Sequence, residues 1–507
     1  FGGLVWDHRH QRLLAVRESA GRQQLVAVQD HGKVLHLHEG EDFYSAPALS
    51  ASGSRLAWVT WSLPDMPWER SALWTADVDA NGRLSGPRCW PTPAEGSVQQ
   101  PGFDGETLHV LSDHDGWWQP WQVVFRDGVA HWVCQDATAA DHATAPWQLS
   151  ERHHVALGQG GWARVRYVSG RGELWLQPSA GAQTCRVATD YTDFRHLSGL
   201  AGQLYCVARS ATRLDSVLAV NLATGQWRTL AGGEVPFPDT PVVAPENVRI
   251  PPSDGVVEEV GGFWYPPFKG ASDSNPPPLI LIAHGGPTSA AWPVFNPQVQ
   301  FWCHHGFAVA EVNYRGSSGF GRAFRLALAG NWGEADVEDM ERAADHLVAT
   351  GQADARRLFI QGRSAGGYTA LMAMTRSARF RAGASLFGVS DPARLREMTH
   401  RFESGYLDWL LGSPRQFPAR WQARTPLLQA HRIRRPMIFF QGGQDKVVVP
   451  EQTRAMVRVL EQNRQAVELW WFEEEGHGFR QRENQISLLE NLLAFYQRYV
   501  QKCDDGA

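Results

Sequence analysis

Residues 358–371, LFIQGRSAGGYTAL, restrict the fold more than any other stretch of this chain. An apolar run ends at Gly362, Ser364 stands between Gly362 and Gly366 in the pattern G-x-S-x-G, and the spacing from Ala365 onward is that of a buried helix. The order is strand, sharp turn, helix. So tight a turn leaves no room for side chains on either side of the serine, which accounts for the flanking glycines. Such an elbow lifts the Ser364 hydroxyl above a parallel sheet and sets the Ala365 N–H beside it. Matches of this length also arise by chance in Gly- and Ser-rich turns, so a nucleophile at Ser364 requires partners elsewhere in the sequence.

The second half of the chain supplies them. Prolines interrupt the text at Pro251-Pro252, Pro266-Pro267 and Asn275-Pro276-Pro277-Pro278, and a domain boundary is expected near residue 245, separating 1–245 from 246–507. Beyond it, strand-like and helix-like runs alternate, as in a parallel sheet covered on both faces. The strand Leu279 to Ala283 leads into His284-Gly285-Gly286-Pro287. A glycine pair lets backbone approach a reacting carbonyl, so the Gly286 N–H is the candidate second oxyanion donor beside that of Ala365; a plain turn is the alternative. A serine hydroxyl needs a histidine to take its proton and a carboxylate to orient that histidine, in the chain order Ser, Asp, His. Asp445 follows the strand Pro436 to Phe440, and His477 follows the next strand, Val467 to Phe472. Both fall at strand ends in the required order. His304 and His305 precede the elbow and are set aside. The acidic cluster Glu334, Asp336, Glu338 and Asp339 opens a helix expected at about 335–350, where acids favour the dipole and cap free N–H groups, rather than a metal site. Residues 399–404 follow the strand containing Phe387 and suit a cleft wall, a lid or an interface.

The first half reads differently. Short apolar or alternating runs such as 12–16, 24–28, 55–59, 107–111 and 203–207 are separated by Gly, Asp and Asn turns. At about 40 to 50 residues per repeat, this is the writing of a β-propeller with room for about five or six blades. A β-sandwich or stacked β domains is the alternative. The tryptophans Trp58, Trp61, Trp68, Trp117, Trp118 and Trp121 suit packing between blades. His8 and His10 beside Asp7 have the i, i+2 spacing of one strand face, but no third ligand is in sight, so no metal site is assigned.

The composition narrows the partners. With a net charge of −5 and no basic block, neither nucleic acid nor an anionic membrane is indicated. No run approaches the roughly eighteen apolar residues of a membrane span. The six cysteines include no C-x-x-C pair, which fits a reducing, cytoplasmic setting, although a chain opening at Phe1 leaves a processed leader open. Whether the chain is a monomer or a homo-oligomer stays open.

Residues 284–289 (HGGPTS), 312–322 (VNYRGSSGFGR), 362–368 (GRSAGGY) and 475–479 (EGHGF) together resemble the prolyl oligopeptidase family of serine peptidases, most closely its acylaminoacyl-peptidase and dipeptidyl-aminopeptidase-like branch. A weaker likeness runs through residues 66–69 and 112–118. The resemblance implies an N-terminal β-propeller and a C-terminal α/β-hydrolase domain, with only short or unfolded peptides reaching Ser364. Propellers of this family usually have seven blades, so N-terminal residues are expected to be absent here. Two departures stand out. Prolyl oligopeptidase itself places a tyrosine where His284 stands and uses its hydroxyl on the oxyanion, so this chain would rely on the Gly286 amide. Relatives carry an arginine after Phe-Glu-Ser, where this chain has Gly405.

The reading is a serine exopeptidase with Ser364 as nucleophile, His477 as base and then acid, Asp445 as its orienter, and no cofactor or metal. Glu69 and Glu95 are the candidate anchors for a substrate ammonium group, with solvated surface acids as the alternative. The rival readings are an esterase or amide hydrolase of small xenobiotics and a binding scaffold with an inert hydrolase half.

Overall fold

The computed structural model describes residues 1–237, 239–252, 259–270 and 276–504; Asn275 of the proline-rich stretch lies outside them. The chain divides into two compact units. One comprises Phe1–Pro236 with Ser318–Ala323 and Arg401–Tyr406, and the other Phe237–Ser317, Phe324–His400 and Leu407–Ala507. The division falls earlier than the prolines suggest, because residues before 245 are already tied to the second unit. There the Val243 N–H donates to Gln300 Oε1 at 2.8 Å and Gln300 Nε2 donates to the Val243 carbonyl at 2.9 Å.

The first unit is a propeller of five antiparallel sheets, spanning in turn residues 2–38, 43–90, 98–134, 154–187 and 193–232. Strand Arg55–Trp61 explains how the sheets stack. Its alternate residues Leu56 and Trp58 pack with Leu14 and Leu25 of the preceding sheet, whereas Ala57 and Val59 pack with Val98, Val110 and Trp121 of the following one. A strand buried on both faces reads as a continuous apolar run, as this one does. Each large side chain so buried contributes about 1.5–3 kcal/mol.

The first strand of every blade carries one extra residue. The register slips between Gly2 and Val5, Gln99 and Gly102, Ala156 and Gly158, and Arg195 and Ser198. In the second blade the first strand is split into Phe43–Tyr44 and Ala48–Leu49, which pair with Thr60 and Ala57 so that four steps oppose three. Gly3, Gln100, Gly158 and His196 take up positive φ at these bulges. The bulged segments of successive blades contact one another.

The second unit is built on one eight-stranded sheet in the order Glu246–Ile250, Val260–Tyr265, Ala308–Asn313, Leu279–Ala283, Leu358–Arg363, Ala382–Leu386, Met437–Gly442, Val467–Phe472. Its second strand, Val260–Tyr265, pairs antiparallel with both neighbours, and the last six strands are mutually parallel. On one face, Phe359, Ile280, Val309 and Phe440 pack under Trp302 of helix Pro297–His304 and Phe495 and Tyr496 of helix Arg482–Asp504.

Histidines of the propeller give it a pH dependence. Burial pushes His109 down to about 3, His154 down to about 4 and His153 well below the usual value. These rings are neutral when folded and take up protons on unfolding. Their contribution to stability therefore rises with pH between about 4 and 6.5, each ring costing roughly 1.4 kcal/mol per pH unit below its unfolded value. Relative to the parent, His109→Gln is expected to lose less melting temperature between pH 7 and pH 5, as read by scanning calorimetry.

Candidate active site

Four loops leave the carboxyl ends of parallel strands in the second unit, the usual place for chemistry in such sheets. The elbow is the most crowded of them. A Cβ on Gly366 would lie 2.0 Å from the Ala283 carbonyl oxygen, and one on Gly362 would lie 2.1 Å from the Gly366 oxygen. Neither position admits a side chain. Ser364 itself is held at φ 52° and ψ −119°, a backbone state that costs on the order of 1–3 kcal/mol for a non-glycine residue. Ala365 is the first residue of helix Ala365–Arg376, so its N–H has no partner within the helix.

The His284–Pro287 turn runs alongside. A Cβ on Gly285 would stand 3.1 Å from the Arg363 carbonyl oxygen and 3.8 Å from Ser364 Cβ, and Gly286 adopts φ 58°. His284 braces this turn. Its ring stacks on Tyr314 at 4.2 Å, and the Tyr314 hydroxyl donates to the His284 carbonyl at 3.0 Å. Burial pushes the ring down to about 4, so it is neutral near pH 7. Its Nδ1–H then donates to the Gly285 carbonyl at 3.1 Å, and Nε2 meets the Ser317 hydroxyl at 2.8 Å.

Asp445 and His477 come together. His477 Nδ1 lies 2.8 Å from Asp445 Oδ2. The buried Asp445 carboxylate also accepts from the Val447 and Val448 amides at 2.9 Å each and from Gln441 Nε2 at 3.3 Å. With Nδ1–H held by the carboxylate, the other ring nitrogen of His477 is free to accept a proton. The ring packs edge-on against Phe387 at 4.8 Å.

Two supporting residues had only weak sequence signals. Glu475 is a buried acid whose carboxylate accepts from the Arg480 and Gln481 amides at 2.9 and 2.8 Å and from Asn484 Nδ2 at 2.9 Å. It clamps both sides of the His477 loop. Asp336 is a first-turn acid of helix Ala335–Ala349, as expected, and it also ties the elbow helix. It accepts from the Thr369 hydroxyl and the Gly333 amide, both at 2.6 Å, while burial pushes it up to about 6. Asp339 and Glu338 of the same cluster bind Arg315, and Glu334 pairs with Arg424. These acids are structural counter-ions.

In the first unit, Glu69 caps its own turn, accepting from the Met66 amide at 2.8 Å, and burial pushes it up to about 7. Glu95 is exposed and lies 3.2 Å from Arg70, which leaves a screened carboxylate with a partner already. His10 sits in a turn rather than on a strand, bonded to Asp7 and the Asp79 carbonyl. Gly405 also has a packing reason, since a Cβ there would lie 2.3 Å from the Pro64 oxygen.

Glu475→Ala removes three hydrogen bonds from the His477 loop. It is expected to lower stability by about 1–3 kcal/mol in a urea melt while leaving the far-ultraviolet spectrum unchanged.

A model described as the prolyl oligopeptidase family matches residues 293–503. A puromycin-hydrolyzing peptidase of Mycobacterium tuberculosis superimposes with a TM-score of 0.92 at 31% identity, over 98% of this chain and 78% of that one. The crystal structure of puromycin hydrolase gives 0.90 at the same identity and coverage. Dipeptidyl aminopeptidase BIII of Pseudoxanthomonas mexicana is 31% identical over 215 residues, which is 41% of this chain and 31% of that protein. The aligned stretches span about a third of the length of such curated relatives.

Proposed function

This chain belongs to the prolyl oligopeptidase family of serine peptidases, and from that premise we propose that it is an exopeptidase releasing N-terminal aminoacyl groups from short peptides or aminoacyl amides. Ser364 Oγ attacks the scissile carbonyl while His477 takes its proton. The oxyanion that forms is held by the Gly286 and Ala365 amides. His477 then protonates the leaving amine, the acyl group stays on Ser364, and water activated by the same histidine releases it. Asp445 keeps the imidazole oriented and stabilises its cationic form.

The observation that carries this reading is the 2.8 Å contact between His477 Nδ1 and the buried Asp445 carboxylate, beside an elbow in which Ser364 is held in a strained backbone state. Strain of this kind persists only where the surroundings over-determine it, and it clusters at active sites. A merely structural loop has no need of the pair.

A second reading, hydrolysis of small non-peptide amides through the same residues, draws support from the two neighbours named for puromycin. The alternatives share a mechanism and differ in leaving group. As to location, none of the described helices is long and apolar enough to cross a membrane, and the five described cysteines are free thiols, which supports a reducing compartment such as the cytoplasm.

A fluorophosphonate probe is expected to label Ser364, and Ser364→Ala to lower kcat by at least about 1,000-fold with an unchanged melting temperature. Full activity in that variant overturns the mechanism. Matched chromogenic peptides with free and acetylated N-termini, assayed beside puromycin, decide the substrate class. Faster cleavage of the free series supports an aminopeptidase, preference for the acetylated series an acylaminoacyl peptidase, and turnover of puromycin alone the second reading.

A further inference from the structure

The propeller contains a cavity of about 360 Å³, within the range of sites that enclose a small molecule. Its wall is formed where the first strands break. Ala46 and Pro47 come from the split strand of the second blade, Gln100 from the bulge of the third, and Ala156 from that of the fourth. A bulge leaves backbone polar groups outside the ladder, so this wall is richer in hydrogen-bonding groups than an ordinary blade surface. Trp61, Trp147 and Phe402 supply an aromatic side; the Trp61 and Trp147 rings each lie 6.1 Å from that of Phe402.

Charged groups also face this space. Glu18 accepts from Gln23 Nε2 at 3.0 Å. Glu151 lies 3.5 Å from the Thr144 hydroxyl and 3.9 Å from the Arg195 guanidinium, which it shares with Asp193. Arg152 differs from both. Among the described residues its guanidinium has no hydrogen-bond or ion-pair partner, although it lines the cavity. Its side chain is exposed to solvent on the cavity wall. An unpaired guanidinium there is open to an anion, and its planar fork suits a carboxylate. His154, on the same wall, is neutral and does not compete.

We propose that the propeller cavity is a binding site for a small aromatic carboxylate, with Arg152 holding the carboxylate and Trp61, Trp147 and Phe402 holding the ring. Its lining includes none of Ser364, Asp445 and His477, and binding there needs no chemistry. Its ligand class is that of an N-blocked aromatic amino acid or a short peptide ending in one.

The test uses the full chain, with N-acetylphenylalanine and N-acetylphenylalaninamide as probes, read by tryptophan fluorescence and calorimetry. The acid is expected to bind at least tenfold tighter than the amide. Arg152→Gln should abolish that difference, and Trp147→Ala should weaken both probes. Prior capping of Ser364 by a fluorophosphonate should leave binding unchanged. Equal binding of acid and amide, discrimination retained in Arg152→Gln, or loss of binding on capping each overturns the proposal. Because binding is read without turnover, a protein whose Ser364 proves unreactive still gives an answer here.

Discussion

Crowding at the elbow is the constraint on which the hydrolase half depends. The strands Leu279–Ala283 and Leu358–Arg363 run in parallel register, with Ala283 opposite Gly362, so the turn after one strand must pass the turn after the other. Gly366 is pressed against the Ala283 carbonyl, and Gly285 against that of Arg363. Within that space Ser364 has a single backbone solution, and it is an unfavourable one. The strain is offset by the helix that follows, buried along almost all its length and tied to its neighbours through Thr369 to Asp336 and through the Trp332 and Tyr368 rings stacked at 3.7 Å. In the proposed role of nucleophile, a serine fixed in this way starts close to its working geometry and loses little entropy in reaching it.

The proposed base is secured by different means. His477 stands on a loop between a strand and the last helix, where backbone alone would leave it mobile. Glu475 converts that loop into a clamp by taking two amides beyond the histidine and the Asn484 side chain of the helix. Asp445 is fixed through its own loop amides and Gln441, whose carbonyl in turn accepts from the Thr453 hydroxyl at 2.6 Å. Carboxylates fully supplied with donors are held still, which is what orienting an imidazole requires.

The propeller solves another problem with one repeated device. Stacked blades bring their first strands together at the centre, where straight strands would crowd. One extra residue in each first strand bends it and increases its twist. The residues at positive φ in four of these bulges, Gly3, Gln100, Gly158 and His196, have little in common chemically. The device is therefore a property of register rather than of residue type.

That contrast marks what could be read from the text of the chain. Ser364 between its glycines, the His284-Gly285-Gly286 turn, and Asp445 and His477 after successive strands were legible because each depends on sterics and polarity within a few residues. So were the blades, since the short apolar run of a strand such as Arg55–Trp61 is local. Other roles were hidden: Asp336 had the look of an ordinary helix-start acid, Glu475 was one of three consecutive glutamates, Gly405 was a departure from a pattern, and Arg152 one arginine among many. Their roles arise from partners distant in sequence or from a cavity wall formed by several blades. The sequence by itself determined the elbow, the order of the catalytic candidates and the change from β repeats to alternating strands and helices. Only the tertiary structure decided which acids brace the site, why Gly405 has no side chain and where an unpaired guanidinium faces a cavity, because long-range register, and not local composition, chooses the neighbours of a buried charge.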